Sequence, residues 1–243
     1  MVELTNKIVI ITGGASGIGR AAVDAFLAKG AKVVIADFNK ETGEAAVKEL
    51  TNAGKQVLFV QTDVSSEQSV QNMVAETVNA YGRVDILINN AGFGTMSPSH
   101  ERTYEDYEKI VNVCQDGVFL GAKHAIKEMI QTGGGCIINT SSVLGSVAQA
   151  EALPYNAAKG AVNTMTKSLA VEYADKQIRV NAVAPGFVET AAVNKEALGD
   201  FYDGLVAKHP IGRLGKPEDI AHGMVFLAVT GTILTVDGGY TAL

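Results

Sequence analysis

The segment Lys7-Ile8-Val9-Ile10-Ile11-Thr12-Gly13-Gly14-Ala15-Ser16-Gly17-Ile18-Gly19-Arg20 decides the fold. Its first half is an unbroken β-branched run, the pattern of a strand covered on both faces. Glycines follow where a chain turns tightly, and a helical pattern then runs from Gly17 to Lys29. Glycines alone would describe an ordinary turn. A strand before them and a helix after them point to a βα unit whose helix N-terminus offers free N–H groups to a phosphate. Thr12, Gly13, Ser16, Gly17, Ile18 and Gly19 are therefore the expected cradle of a dinucleotide.

The same alternation continues to the end of the chain. Strands are predicted at Lys7–Thr12, Lys32–Ala36, Gln56–Gln61, Asp85–Asn89, Gly135–Ser141, Ile178–Ala184 and Ile233–Val236. Helices are predicted near Gly17–Lys29, Glu41–Ala53, Glu67–Tyr81, Tyr104–Gln131, Tyr155–Ala174 and Pro217–Ala228, with a less regular stretch around Asn194–Lys208. Repeated βα units of this kind build a parallel sheet flanked by helices, an α/β fold. No linker, repeat or low-complexity segment interrupts the series, so residues 1–243 are expected to form one domain.

Composition narrows the partners. Acidic residues outnumber basic ones, 26 to 20, for a net charge of −6, and no basic tract occurs. The footprint of a nucleic-acid binder is absent, which favours a small-molecule partner. No apolar run reaches the ~18 residues of a membrane span, and the N-terminus leaves no room for a signal peptide, so a cytoplasmic location is expected. Cys114 and Cys136 read as buried, reduced thiols, and His100, His124, His209 and His222 lack ligand spacing. No metal is expected.

Asp37 ends the second strand, eighteen residues beyond Gly19. A carboxylate there can accept both ribose hydroxyls of NAD and would repel a 2′-phosphate. Ala15, Ser16 and Phe38 supply no cation to hold that phosphate, so NAD is the expected cofactor. Asp63 and Val64 follow the third strand and suit the adenine, by a carboxylate hydrogen bond and by apolar packing. Asn90, Ala91 and Gly92 follow the fourth, where small residues let the backbone run close to the adenosine ribose, while Asn89 suits a hydrogen bond between strands.

Tyr155 and Lys159 stand four residues apart on an apolar helix and so share one face. A phenol, with a usual pKa near ~10, is a poor base at neutral pH, but a neighbouring ammonium favours the phenolate. Tyr155 would then take a hydroxyl proton as hydride leaves the substrate carbon, or return it in the reverse direction. Lys159 would also bind the nicotinamide ribose, and Ser142, at the end of the fifth strand, would donate to the substrate oxygen. A Tyr/Lys pair at helical spacing is by itself ordinary surface decoration; the cradle and the serine upstream give it meaning.

In this order the motifs TGxxxGxG (Thr12–Gly19), NNAG (Asn89–Gly92), Ser142, YxxxK (Tyr155–Lys159) and Pro185-Gly186 resemble the short-chain dehydrogenase/reductase (SDR) family. The resemblance spans nearly the whole chain. It implies a Rossmann-like doubly wound fold of seven parallel strands, NAD(P)-dependent oxidoreduction and a homotetramer. It also implies that Pro185, Gly186, Val188 and Thr190 hold the nicotinamide carboxamide.

Two departures stand out. The family usually carries an asparagine three residues before the glycine of a segment like Gly117-Val118-Phe119, where it holds a water linking the lysine to solvent. This chain has Cys114. A thiol is a weak donor and acceptor, and on a regular helix Asn112 would be rotated by roughly 200° from that position. The second departure is the short connection Phe226–Gly231, where relatives have several more polar residues.

Substrate contacts are expected from Gly92–His100, Val143–Leu153 and the lid-like Thr190–His209. Phe93, Met96, Val143, Leu144, Leu153 and Phe187 in or beside these stretches favour a neutral ketone or secondary alcohol of the alcohol, diol or acetoin type. A 3-oxoacyl-acyl-carrier-protein reductase-like enzyme and an inactive cofactor-binding relative are the alternatives.

Overall fold

The computed structural model describes residues 4–228 and 232–242. Seven parallel strands form one sheet in the order β3-β2-β1-β4-β5-β6-β7. They are β1 (Ile8–Thr12), β2 (Lys32–Asp37), β3 (Val57–Gln61), β4 (Ile86–Asn89), β5 (Gly135–Thr140), β6 (Ile178–Pro185) and β7 (Ile233–Val236). Strand order runs outward from β1 in one direction and from β4 in the other. Their junction, where Val9 pairs Ile86 and Ile11 pairs Ile88, is the switch point at whose carboxyl end such sheets form a crevice.

Alternate residues of each strand face opposite sides, and both sides are dry. Val9, Ile11, Val33, Ile35, Ile86 and Ile88 pack against α1 (Gly17–Ala28), α2 (Lys40–Asn52) and α9 (Pro217–Leu227). Ile10, Val34, Leu87 and Ile137 face α3 (Glu67–Tyr81) and α5 (Gly117–Gln131). Continuous apolar runs rather than alternating ones are what a sheet covered on both faces demands. Phe26 on α1, fully buried, contributes about 2–3 kcal/mol of this burial.

Polar groups inside the second layer are paired. Asn89 Nδ2 donates across the β4–β5 junction to Asn139 Oδ1 at 3.0 Å, and Asn139 Nδ2 donates to Thr166 Oγ1 at 3.0 Å. This strand-to-strand bond is the one expected of Asn89. It also ties the sheet to α6 (Leu153–Glu172).

The helix expected over Tyr104–Gln131 is broken. α4 (Tyr104–Val111) gives way to a π turn over Asn112–Asp116, with the Gly117 N–H reaching the Asn112 carbonyl, before α5 begins. One extra residue in a turn leaves the apolar pattern almost intact, so periodicity does not reveal it. The irregular stretch resolves into α7 (Lys195–Leu198) and α8 (Asp200–Ala207), separated by Gly199 at φ +54°. β5 ends at Thr140, two residues short of Ser142, and α6 begins two residues before Tyr155. The short connection noted at Phe226–Gly231 includes residues 229–231, which lie outside the described residues.

Candidate functional site

A cavity of about 920 Å³ opens at the carboxyl ends of β1, β2 and β4. Its walls include Gly13, Ser16, Gly17, Ile18, Gly19, Asp37, Asp63, Val64, Asn90, Ala91, Gly92, Tyr155, Lys159 and Thr190, all singled out from the sequence. Thr12, Pro185, Gly186, Val188, Ser142 and Cys114 are not among the lining residues.

The glycine turn is shaped to admit a ligand's backbone-hugging phosphate. Gly13 and Gly17 hold φ of +63° and +52°, the left-handed region that favours glycine. A Cβ on Gly19 would collide with the Gly13 carbonyl. Ser16, the N-cap of α1, makes no side-chain cap, and no acidic residue occupies the first turn. Among the described residues the N–H groups of Gly17, Ile18 and Gly19 therefore have no protein acceptor, and they face the cavity wall at the positive end of the helix dipole. A cradle with orphan donors and no room for side chains fits a dinucleotide pyrophosphate.

Thr12 works from behind the wall. Its buried hydroxyl accepts the N–H groups of Asn90 at 2.9 Å and Ala91 at 3.0 Å, while Asn90 Nδ2 donates back to the Thr12 carbonyl at 3.0 Å. The ends of β1 and β4 are thereby locked across the switch point. Asp37 is oriented in turn: Oδ2 accepts the Ala15 N–H and Oδ1 the Asn39 N–H, each at 3.0 Å. Asp63 Oδ1 accepts the Ser65 N–H at 2.9 Å, and Val64 packs against Gly117.

At the other end of the cavity α6 carries Tyr155 and Lys159. Lys159 is only 2% exposed and its Nζ donates to the Thr140 carbonyl at 2.6 Å, 5.4 Å from the centre of the Tyr155 ring. Ser142 caps the short 3-10 turn Val143–Gly145, its hydroxyl oxygen accepting the Leu144 N–H at 3.1 Å, which leaves its own proton to donate. That turn is pressed onto α6, because a Cβ on Gly145 would meet the Lys159 carbonyl at 2.6 Å. Ser141 Oγ donates to Asn163 Oδ1 at 2.6 Å and fixes the same junction.

Cys114 lies in the π turn, wholly buried, and its Sγ donates to the Phe93 carbonyl at 3.2 Å. Gly92 separates it from Lys159; a Cβ on that glycine would sit 3.3 Å from Sγ and 3.6 Å from Nζ. Cys136 is also a buried free thiol, pushed up in pKa mainly by that burial. Lys109 and Val113, to which the sequence assigned no role, line the cavity together with Asn112, which helical rotation had placed away from the Cys114 position. Their three- and four-residue spacing was the available signal. Rotation by 100° per residue, the ground for setting Asn112 aside, does not hold through a π turn. Phe93, expected on the substrate side, also lines the cavity, and Thr62, Ser65, Phe38, Thr140, Ala191 and Ala192 complete the wall.

Pro185, Gly186 and Val188 are engaged elsewhere. Pro185 pairs with Val236, the Gly186 N–H donates to the Val236 carbonyl at 3.1 Å, and Val188 bridges to Gly215. Phe187 packs with His209 and Tyr240. Of the substrate-facing residues expected, Val143 and Leu144 are buried, whereas Phe93, Met96 and Leu153 are exposed.

A family model described as Enoyl-(Acyl carrier protein) reductase matches residues 13–241. The solved structure of a short-chain type dehydrogenase/reductase from Mycobacterium marinum superposes with a TM-score of 0.94 at 32% identity, covering 99% of this chain and 98% of that one. The chain belongs to the short-chain dehydrogenase/reductase family. Among its SDR relatives, cis-4-hydroxycyclohexanecarboxylate dehydrogenase of Sinomonas cyclohexanicum is 41% identical over 98% of this chain and 97% of its own length. The 2,5-dichloro-2,5-cyclohexadiene-1,4-diol dehydrogenase LinX of Sphingobium indicum is 39% identical over 98% of both. This SDR is thus an oxidoreductase of a family that uses nicotinamide cofactors. Among the described residues no helix is long and apolar enough to cross a membrane.

Proposed function

We propose that the chain is an NAD-dependent dehydrogenase acting on a neutral, ring-shaped secondary alcohol or the matching ketone. The observation that carries this reading is a single cavity walled at one end by the glycine cradle and Asp37 and at the other by Tyr155 and Lys159. Two relatives named as dehydrogenases of ring alcohols support the ring, one of them named for a neutral diol and the other for a ring alcohol that carries a carboxylate, and the exposed apolar side chains of Phe93, Met96 and Leu153 support neutrality.

The residues divide the work by chemistry. The orphan N–H groups of Gly17, Ile18 and Gly19 hold the pyrophosphate, Asp37 accepts the ribose hydroxyls, and Asp63 with Val64 borders the adenine. Asn90, Ala91 and Gly92 border the ribose. Thr190, which lies against Gly17, is assigned to the nicotinamide carboxamide together with Pro185, Gly186 and Val188. Bound there, the nicotinamide supplies the hydride acceptor or donor.

Tyr155 moves the proton at the substrate hydroxyl oxygen. Ser142 donates its proton to the same oxygen, and the Lys159 ammonium, 5.4 Å from the centre of the Tyr155 ring, binds the ribose. Removing the phenol while keeping its ring isolates this role. With NAD and a panel of cyclohexanols, cyclohexanediols, acetoin and an acyl-carrier thioester, wild type is expected to turn over the ring alcohols. Tyr155→Phe is expected to lose about 10³-fold in kcat while still binding NADH. A wild-type preference for the thioester, or a Tyr155→Phe variant of undiminished rate, contradicts the reading.

Cofactor choice rests on Asp37. Its two oxygens are already aimed by Ala15 and Asn39, and a 2′-phosphate would place like charge beside them. Wild type is expected to favour NAD over NADP in kcat/KM by at least about tenfold, and Asp37→Ala to narrow that ratio. Preference of the wild type for NADP overturns the assignment.

Cys114 weakens the proton path behind Lys159. Its one thiol proton is committed to the Phe93 carbonyl, and sulfur accepts poorly, so it lacks the paired donor and acceptor of an amide. Cys114→Asn is expected to raise kcat by about twofold to tenfold, read in single-turnover as well as steady-state rates. An unchanged or lower rate means that protons leave by another route.

A further inference from the structure

Two loops border Tyr155, one running from Asn90 to Thr103 after β4 and the other from Ser141 to Ala152 after β5. One guanidinium joins them. Arg102 Nη1 donates to Thr95 Oγ1 at 2.9 Å, and Nη2 donates to the carbonyls of Thr95 and Glu151, each at 3.0 Å, with the Ser97 carbonyl at 3.5 Å. The Glu151 carbonyl also accepts the Ser97 N–H at 3.0 Å, so the second loop receives two donors from the first.

Both gripped segments bear on the tyrosine. Gly94 lies against its ring, since a Cβ there would be 3.3 Å from Tyr155 Cδ2. Glu151 sits at φ +65°, a left-handed conformation that a non-glycine residue keeps only when its surroundings impose it. Ala152, the next residue, is the N-cap of α6, and Tyr155 stands in the first turn of that helix. The fork of Arg102 thus holds the strand of chain packed on the ring and the strand that launches the helix bearing it.

We propose that Arg102 is a positioning residue that sets the substrate gap in front of Tyr155. The proposal rests on the reaction read above. The two loops also carry the exposed apolar residues of the substrate side, Phe93 and Met96 on one and Val147 on the other, with Leu153 at the start of α6. Their separation is fixed by a planar fork with several acceptors. A lysine, a single point charge on a flexible stem, cannot reproduce that grip. None of the Arg102 bonds reaches the glycine cradle or Asp37, so cofactor binding is spared.

The test compares wild type, Arg102→Ala and Arg102→Lys by amide hydrogen exchange and by kinetics with cyclohexanol and NAD. In Arg102→Ala, exchange should quicken at residues 94–97 and 149–152 and stay unchanged in the cradle. KM for cyclohexanol should rise about tenfold with kcat lowered less than about threefold, and NADH affinity should hold within about twofold. Arg102→Lys should recover little of the KM. Faster exchange with unmoved KM and kcat overturns the positioning role, as does a loss of NADH affinity that parallels the loss of activity. A wild type inactive on every ring alcohol fails the reaction assignment instead, and unaltered exchange in both loops of Arg102→Ala then overturns the clamp on its own.

Discussion

The site is organised around a buried ammonium. Lys159 is almost fully enclosed, and the short bond to the Thr140 carbonyl is the one hydrogen bond described for its ammonium. A cation removed from water is costly unless it is held by oriented polar groups. The bond to Thr140 supplies one such group, at the end of β5. The Ser142 turn presses on the lysine's own carbonyl through Gly145, and Gly92 leaves room beside Nζ that a side chain would fill. One donor of the ammonium is committed to Thr140 and two remain, at the wall of the cavity that also contains the orphan N–H groups of α1.

Much of this was legible in the chain. Two-sided burial writes itself into a sequence as unbroken β-branched runs, so all seven strands could be read to within a residue or two. The cradle was legible because glycine is needed wherever φ is positive or backbones touch, as at Gly13 and Gly19. Asn89 announced its cross-strand bond as a polar residue ending an apolar strand. What escaped were features without a residue-type signature. A π turn differs from an α-helix by one residue, the Thr140 acceptor is a main-chain carbonyl, and Arg102 acts through carbonyls of residues that are distant in sequence or merely polar.

The π turn connects two of these observations. It brings Lys109, Asn112 and Val113 to the cavity wall while Cys114 turns inward to the Phe93 carbonyl. The π turn thus forms with a thiol at its centre. Phe93 in turn lies in the loop that Arg102 holds at Thr95 and Ser97. The thiol and the guanidinium anchor one loop at two points, one beside the lysine and one beside the tyrosine ring.

If the buried ammonium of Lys159 is kept for a nicotinamide dinucleotide and not for folding, removing its charge costs binding and spares stability. Fluorescence titration of NADH against wild type and Lys159→Met tests it directly, because methionine is of similar length and removes the charge from a buried position without leaving a cavity. The variant is expected to fold, to be at least as stable as wild type and to bind NADH about tenfold or more weakly, the loss of a charge-assisted bond. Equal NADH affinity in the two proteins, or a variant that fails to fold, would contradict it.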